Sequence, residues 1–129
     1  MGDMSAIIVE FVQEGSEKAD QFERHLLQLE QNPNSRELLT EIFRVMHSIK
    51  GATSFLGFTK LCGLTHAGES LVARLRDGAL TTTPEITSAL LSLVDVIREV
   101  LSEIAATGEE GKKNYSALIN TLTQLEKAK

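Results

Sequence analysis

Apolar residues recur three and four positions apart through almost the whole chain, which is the spacing of amphipathic helices. Turn signals divide the pattern into five segments, and no run alternates apolar and polar residues as a half-buried strand would. The apolar stripes cover residues 8–29, 38–56, 61–75, 86–104 and 115–125. The pattern therefore predicts five helices.

Local signals predict where these helices begin and end. Asn34, followed three positions later by a glutamate, resembles a capping box at the start of the second helix. Thr59 is predicted to cap the third helix, and Gly78 to end it. Thr83 stands before a proline, as N-caps often do, and is predicted to open the fourth helix. Because the connections are short, we predict an all-α, up-down four-helix bundle with an additional C-terminal helix.

Length and composition limit the number of domains, the possible partners and the location of the protein. The 129 residues suffice for one domain, residues 1–129. Residues 1–3 resemble a remnant of cloning, so we expect the ordered domain to span about 4–127. The net charge of −5 argues against nucleic-acid binding. No apolar run is long enough for a membrane span, and we expect no membrane partner. The N-terminus lacks the pattern of a signal peptide, and the single cysteine fits a reducing compartment, so we expect a cytoplasmic location.

Candidate chemistry lies beside the stripe of the second helix. With about 100° per residue, His47 lies roughly 140° from Ile42, outside the predicted core. Lys50 lies at roughly 80° and Gly51 at roughly 180° on the same helical wheel. His47 is therefore predicted to be exposed, with a lysine on one flank and open space on the other.

On the third helix, His66 and Glu69 lie on one side of the apolar stripe. If the second and third helices are antiparallel neighbours, both residues can face His47. A carboxylate that accepts the Nδ1 proton of an imidazole leaves its Nε2 lone pair free to act as a nucleophile. A nearby lysine can offset charge on a transferring phosphoryl group. The pattern therefore favours phosphoryl chemistry.

Other interpretations stay open at this point. A histidine on a helix surface is usually only solvated, and we interpret His25 in this way. Lys50 and Glu69 could form an ordinary surface ion pair. Cys62, His66 and Glu69, spaced i, i+4 and i+7, could be half of a metal site, although no fourth ligand is evident.

The sequence letters themselves resemble a known family. Residues 47–51 read HSIKG, which is similar to the phosphorylation motif of histidine phosphotransfer (HPt) domains. The surrounding IFR at 42–44, GF at 57–58 and THAGE at 65–69 resemble the N-terminal phosphotransfer domain of CheA-family chemotaxis kinases. The similarity covers about residues 4–125. The family often has a second glycine where Ala52 stands here.

The resemblance implies a phosphoryl carrier in two-component signalling. His47 would accept a phosphoryl group from an ATP-bound CheA kinase domain and pass it to an aspartate of a CheY-like or CheB-like response regulator. Lys50, His66, Glu69 and Gly51 would support this chemistry. The domain itself would bind no cofactor or metal; ATP would sit on the kinase domain and magnesium on the regulator.

The chain contains no glycine-rich nucleotide-binding motif, so it would be the substrate domain of a histidine kinase rather than its catalytic core. We therefore expect the native protein to continue past Lys129. We expect the chain to be monomeric. The alternatives are a stand-alone HPt protein of a multistep phosphorelay, and a helical adaptor or metal-binding bundle that is not phosphorylated.

A partner surface is predicted beside the histidine. Phe55 lies roughly 220° from Ile42 on the wheel, away from the core stripe. We predict that a regulator docks on Arg44, Gly51, Ser54 and Phe55. In the alternative interpretation, Phe55 folds under the following turn and fills core.

Overall fold

The computed structural model describes the backbone of residues 2–128 and the side chains of residues 6–128. It contains five helices and, within this range, no strand. The helices are α1 (Gly2–Gln31), α2 (Arg36–Leu56), α3 (Thr59–Arg76), α4 (Pro84–Thr107) and α5 (Ser116–Lys127). Of the three residues expected to stem from cloning, Met1 lies outside the described residues and the other two belong to α1.

The four long helices form the predicted up-down bundle. Helix α1 packs on α2 and α4, while α2 packs on α3, and a contact between α3 and α4 closes the ring. Helix α5 packs on α3 and α4, so it lies across the bundle on the side away from α1 and α2. The all-α fold with an additional C-terminal helix is confirmed.

The predicted apolar stripes form the core. Each long helix contributes side chains that solvent does not reach, and α5 contributes Leu122. A buried side chain of this size stabilises the fold by about 1.5–3 kcal/mol relative to an exposed one. The largest fully buried side chains are Phe22, Leu26, Leu29, Ile42, Met46, Leu61, Leu64, Leu71, Leu90, Leu93, Ile97 and Leu101.

A two-residue turn joins α2 to α3 and sets their register. Gly57 adopts φ of 81°, a left-handed conformation that favours glycine. The N–H of Phe58 donates to the carbonyl of Thr53 at 2.9 Å, and the Phe58 ring stacks on Phe11 with centroids 5.3 Å apart. This anchored turn holds the two helices that carry the candidate site.

One predicted N-cap is confirmed and one is displaced. The Thr83 hydroxyl accepts from the N–H of Ile86 at 3.2 Å, as expected. The cap of α2 is Ser35 rather than Asn34, because the Ser35 hydroxyl accepts from the N–H of Leu38 at 3.2 Å. Asparagine and serine are about equally good caps, so geometry alone decides between neighbours.

The predicted Thr59 cap of α3 is wrong. Phe58 occupies the N-cap position and has no side-chain cap. The carboxylate of Glu110, in the α4–α5 connection, instead accepts from the N–H of Lys60 at 3.2 Å and of Leu61 at 2.7 Å. A carboxylate also complements the positive end of the helix dipole. The C-terminal connection therefore caps the start of α3.

Among residues 2–128, no helix has an apolar stretch sufficient to cross a lipid bilayer.

Candidate functional site

The site lies in the groove between α2 and α3. His47 and Glu69 are about equally far from the Gly57 turn, so the antiparallel helices place them opposite each other. The Nδ1 atom of His47 lies 2.5 Å from Oε2 of Glu69. The His47 side chain is 66% exposed. One imidazole nitrogen is thus held by the protein while the ring remains open to solvent.

Glu69 is more buried than the helical wheel indicated. Its side chain is only 10% exposed, beneath the side chains of α2, although we placed it beside the apolar stripe. The Nζ atom of Lys50 donates to Oε1 at 2.5 Å, and the Lys50 side chain is itself 26% exposed. Both carboxylate oxygens are therefore occupied, one by each partner. Lys50 and Glu69 therefore do not form an ordinary surface ion pair.

The charge of Glu69 follows from two opposing effects. Burial alone would raise the pKa of this carboxyl, but hydrogen bonds and charge from Lys50 and His47 outweigh it and hold the pKa below its ordinary value of 4.5. Glu69 is therefore ionised near neutral pH. An ionised carboxylate can only accept hydrogen bonds, so Nδ1 of His47 carries the proton. In the neutral ring this leaves the lone pair on Nε2.

Open space lies about one turn along α2 from His47, which does not itself line it. An open depression of about 630 Å³ is lined in part by Lys50, Gly51, Ser54, Cys62 and His66. A Cβ atom built on Gly51 would meet no atom within 4 Å. The missing side chain at this position therefore enlarges an accessible surface and relieves no clash inside the protein.

His66 does not join the hydrogen-bonded cluster. Its side chain is exposed on the wall of the depression, and no hydrogen bond links it to His47 or Glu69 in the described part of the chain. No group of three His, Cys, Asp or Glu side chains among the described residues could hold a metal. The metal half-site with Cys62 is therefore not assembled.

The third histidine differs from its interpretation as a solvated residue. His25 is half-buried on α1. Its Nδ1 is inaccessible to solvent and has no hydrogen-bond partner among the described residues. It lies outside the groove.

Two residues of the site were missed by sequence reasoning. The ring of Phe43 lies nearly parallel to the imidazole of His47, with centroids 6.0 Å apart and planes 12° apart. The guanidinium carbon of Arg76 lies 4.3 Å from the centroid of the Phe43 ring. The i, i+4 spacing of Phe43 and His47 was a usable signal. Arg76 reaches this ring from the end of α3, which no local pattern indicates.

The predicted docking residues are accessible. Phe55 is 85% exposed, so the alternative in which it fills core is wrong. Arg44 is exposed and forms an ion pair with Glu41 at 3.3 Å. Gly51 and Ser54 are exposed on the same stretch of α2.

Comparison with known proteins agrees with this geometry. The family model described as "Hpt domain" matches residues 6–107, which include α2, α3, α4 and most of α1. The chain belongs to the Hpt domain family. The matched range ends with α4, so α5 of this Hpt domain lies outside it.

Relatives of this Hpt domain are chemotaxis kinases. It is 38% identical over 117 residues to the "Sensor histidine kinase CheAY" of Helicobacter pylori, covering 88% of this chain and 15% of that protein. The chain spans about 15% of the length of the first curated relatives it matches. The resemblance to the phosphotransfer domain of CheA-family kinases is thereby confirmed.

Solved structures of CheA phosphotransfer domains have the same fold as this chain. The crystal structure of the phosphorylated P1 domain of CheA3 in complex with CheY6 from R. sphaeroides matches with a TM-score of 0.87 and 27% identity, covering 95% of this chain and 96% of that one. The CheA phosphotransferase domain from Thermotoga maritima matches with a TM-score of 0.76 and 29% identity, covering 78% and 95%.

Proposed function

We propose that this Hpt domain is a phosphoryl carrier of chemotaxis signalling and that His47 is the residue that becomes phosphorylated. The observation that carries the proposal is the contact of 2.5 Å between Nδ1 of the exposed His47 and the buried, ionised Glu69. A protonated Nδ1 leaves Nε2 as the nucleophile. The same carboxylate stabilises the positive charge that develops on the ring during attack, as the acid of a catalytic triad does.

The phosphoryl group would be transferred in two successive displacements at phosphorus. The Nε2 lone pair attacks the γ-phosphorus of ATP, an N–P bond forms, and the bond to the bridging oxygen breaks so that ADP leaves. A carboxylate oxygen of the regulator aspartate then attacks the same phosphorus, the N–P bond breaks, and Nε2 regains its lone pair. Lys50, one turn along α2, offsets charge on the transferring phosphoryl oxygens.

The partners of this chemistry lie outside the chain. A CheA kinase domain would hold ATP, and a CheY-like or CheB-like regulator would hold the accepting aspartate and its magnesium. The similarity to a phosphorylated P1 domain in complex with CheY6 supports this assignment. The regulator would approach over Arg44, Gly51, Ser54 and Phe55, and the carrier would act as a monomer in the cytoplasm.

The proposal is tested by labelling the chain with radioactive ATP and a CheA kinase-core fragment. We expect label that is labile to acid and stable to base, as for phosphohistidine. His47→Gln should abolish the label and leave helicity and melting temperature near wild type, because the side chain is mostly exposed. Label that persists in His47→Gln would transfer the assignment to His66 or His25. A wild-type chain that no kinase or phospho-regulator labels would favour a helical adaptor.

A further inference from the structure

We propose that Phe43 and Arg76 are positioning residues for His47: Phe43 fixes the plane of the imidazole ring, and Arg76 holds Phe43 in place. The inference rests on the proposed phosphotransfer by His47 and concerns how its acceptor nitrogen is aimed. Neither residue belongs to the HSIKG motif or to the carboxylate cluster.

A single hydrogen bond does not orient the ring of His47. Among the residues that the structure describes, the imidazole has one hydrogen bond, from Nδ1 to Glu69, while two thirds of the side chain is open to solvent. The outer torsion of a histidine side chain is broad and lacks narrow staggered wells. The ring can therefore rock about the line from Nδ1 to the carboxylate oxygen without breaking the bond. A defined direction for Nε2 requires a second contact.

Phe43 provides that contact from one turn earlier on α2. Its ring and the imidazole are nearly parallel, at 12°, with centroids 6.0 Å apart. This separation falls within the range of about 4.5–7 Å for favourable offset aromatic pairs. The hydrogen bond restrains the ring within its plane, and the stack restrains rotation out of that plane. Together they fix the direction of Nε2, the nitrogen that the carboxylate leaves free.

Arg76 in turn restrains Phe43. Its guanidinium carbon lies 4.3 Å from the Phe43 centroid, inside the roughly 6 Å over which a cation attracts an aromatic ring. Its Nε donates to Oδ1 of Asp77 at 3.2 Å, which holds the guanidinium at the end of α3. Helix α3 therefore reaches the histidine in two ways, directly through Glu69 and indirectly through Arg76. Phe43 is half-buried: it packs against the core, and its ring also stacks with the imidazole of His47.

The test uses phosphoramidate, a small-molecule phosphodonor, so that no partner surface is involved. Phe43→Leu keeps an apolar side chain and removes the flat face. We expect phosphorylation of His47 to slow roughly tenfold, on the scale of orientation effects. NMR relaxation of the imidazole carbons, measured without donor, should report larger ring motion. Phe43→Tyr retains the flat face and should restore both values.

A double-mutant cycle tests the role of Arg76. Arg76→Gln alone should slow phosphorylation severalfold and add nothing in the Phe43→Leu background, because Arg76 acts through Phe43. Arg98→Gln is the matched control, since Arg98 pairs with Asp20 and Glu23 on the α1–α4 side and should leave the rate unchanged.

Two outcomes would overturn the positioning role: a wild-type rate in Phe43→Leu, or a slower rate with unchanged ring motion. If the wild-type chain is not phosphorylated on His47, the proposed function fails instead. The comparison of ring motion still decides the positioning role in that case, because it needs no phosphoryl group.

Discussion

At the scale of single residues, the burial and the charge of Glu69 together fix the tautomer of the exposed His47. Burial opposes ionisation, and two donors overcome that effect. The result is a fixed negative charge beneath His47, with each carboxylate oxygen in contact with one side chain of α2. A surface carboxylate would be screened by solvent and could not hold one tautomer as firmly.

The lowered pKa of Glu69 predicts a pH-dependent contribution to stability. A carboxyl whose pKa is lower in the folded than in the unfolded chain stabilises the fold above its ordinary pKa, and the effect is lost as pH falls through the folded value. Glu69→Gln should therefore lower the free energy of unfolding by about 1–3 kcal/mol at pH 7. The difference from wild type should shrink below the ordinary value of 4.5.

Urea unfolding of both proteins across this pH range measures the effect. Glu41→Gln is the matched control, because Glu41 forms an exposed ion pair with Arg44 within α2. Its effect should be small at every pH. A Glu69→Gln difference that stays constant down to pH 3 would contradict the linkage.

The same carboxylate predicts a kinetic effect. Glu69→Ala should slow phosphorylation of His47 by the kinase about 100-fold, the scale of a lost general base or orienting group. His66→Ala should have a milder effect, since His66 makes no hydrogen bond to the pair. Rates of label incorporation, with imidazole nitrogen shifts to report the tautomer, test this. An unchanged tautomer in Glu69→Ala would remove the role assigned to Glu69.

At the scale of helices, two glycines beside the groove have opposite roles. A Cβ on Gly68 would come within 2.5 Å of Leu93 Cδ2 and 3.0 Å of Met46 Cε, both in the core. A Cβ on Gly51 would meet nothing. Gly68 thus permits close packing next to Glu69, while Gly51 weakens its helix for no packing benefit.

Alanine substitutions should separate these roles. Gly68→Ala should destabilise the fold by about 1–3 kcal/mol through overpacking. Gly51→Ala should stabilise it by up to about 1 kcal/mol through helix propensity, yet slow transfer to the regulator. Urea unfolding and transfer rates measure both variants. Faster or unchanged transfer in Gly51→Ala would show that the open space is not used.

Helix α5 is joined to α4 by a link that titrates. The hydroxyl of Tyr115 donates to Glu99 at 2.6 Å. Burial, with this hydrogen bond, raises the pKa of Tyr115 from 10.0 to about 12. Because the neutral form is favoured in the folded chain, its stabilising effect is complete below pH 10 and is lost as pH rises towards 12.

The single tyrosine and the absence of tryptophan make this directly observable. Near-ultraviolet absorbance of tyrosinate should show one transition centred well above the value for unfolded chain. Glu99→Gln should move the midpoint downwards, towards 10.0. A midpoint near 10.0 in the wild-type protein would mean that α5 does not dock in this way.

Helix positions followed from sequence because their signals are local. The 3- and 4-residue periodicity that defines Leu64, Leu71 and Leu75 as core needs no knowledge of other helices. The Glu110 cap of α3 could not be predicted, because its partners are about 50 residues away and any acidic loop residue could serve. The depth of Glu69 was missed for a related reason: a helical wheel gives direction, but neighbouring side chains determine burial.

At the scale of the whole molecule, the bundle encloses its core and leaves the imidazole of His47 on the surface. Along α2, the exposed positions Gly51, Ser54 and Phe55 follow His47 towards the turn. A second, shallow cavity of about 230 Å³ lies beside Phe55 and is lined in part by Ile7 and Phe11 of α1. Neighbouring exposed apolar side chains, here Ile7 and Phe55, are typical of interaction sites.

The role of Phe55 in this surface can be tested by substitution. Because Phe55 is 85% exposed, Phe55→Ala should change stability by less than about 1 kcal/mol, whereas a buried phenylalanine would cost about 3–5 kcal/mol. If Phe55 anchors the regulator, the variant should bind it more weakly and transfer more slowly, as loss of an aromatic anchor does. Leu27→Ala is the matched control, since Leu27 is 48% exposed on α1 outside this patch. Calorimetric titration with a CheY-like regulator measures affinity. Unchanged affinity in folded Phe55→Ala protein would place the docking surface elsewhere on the groove.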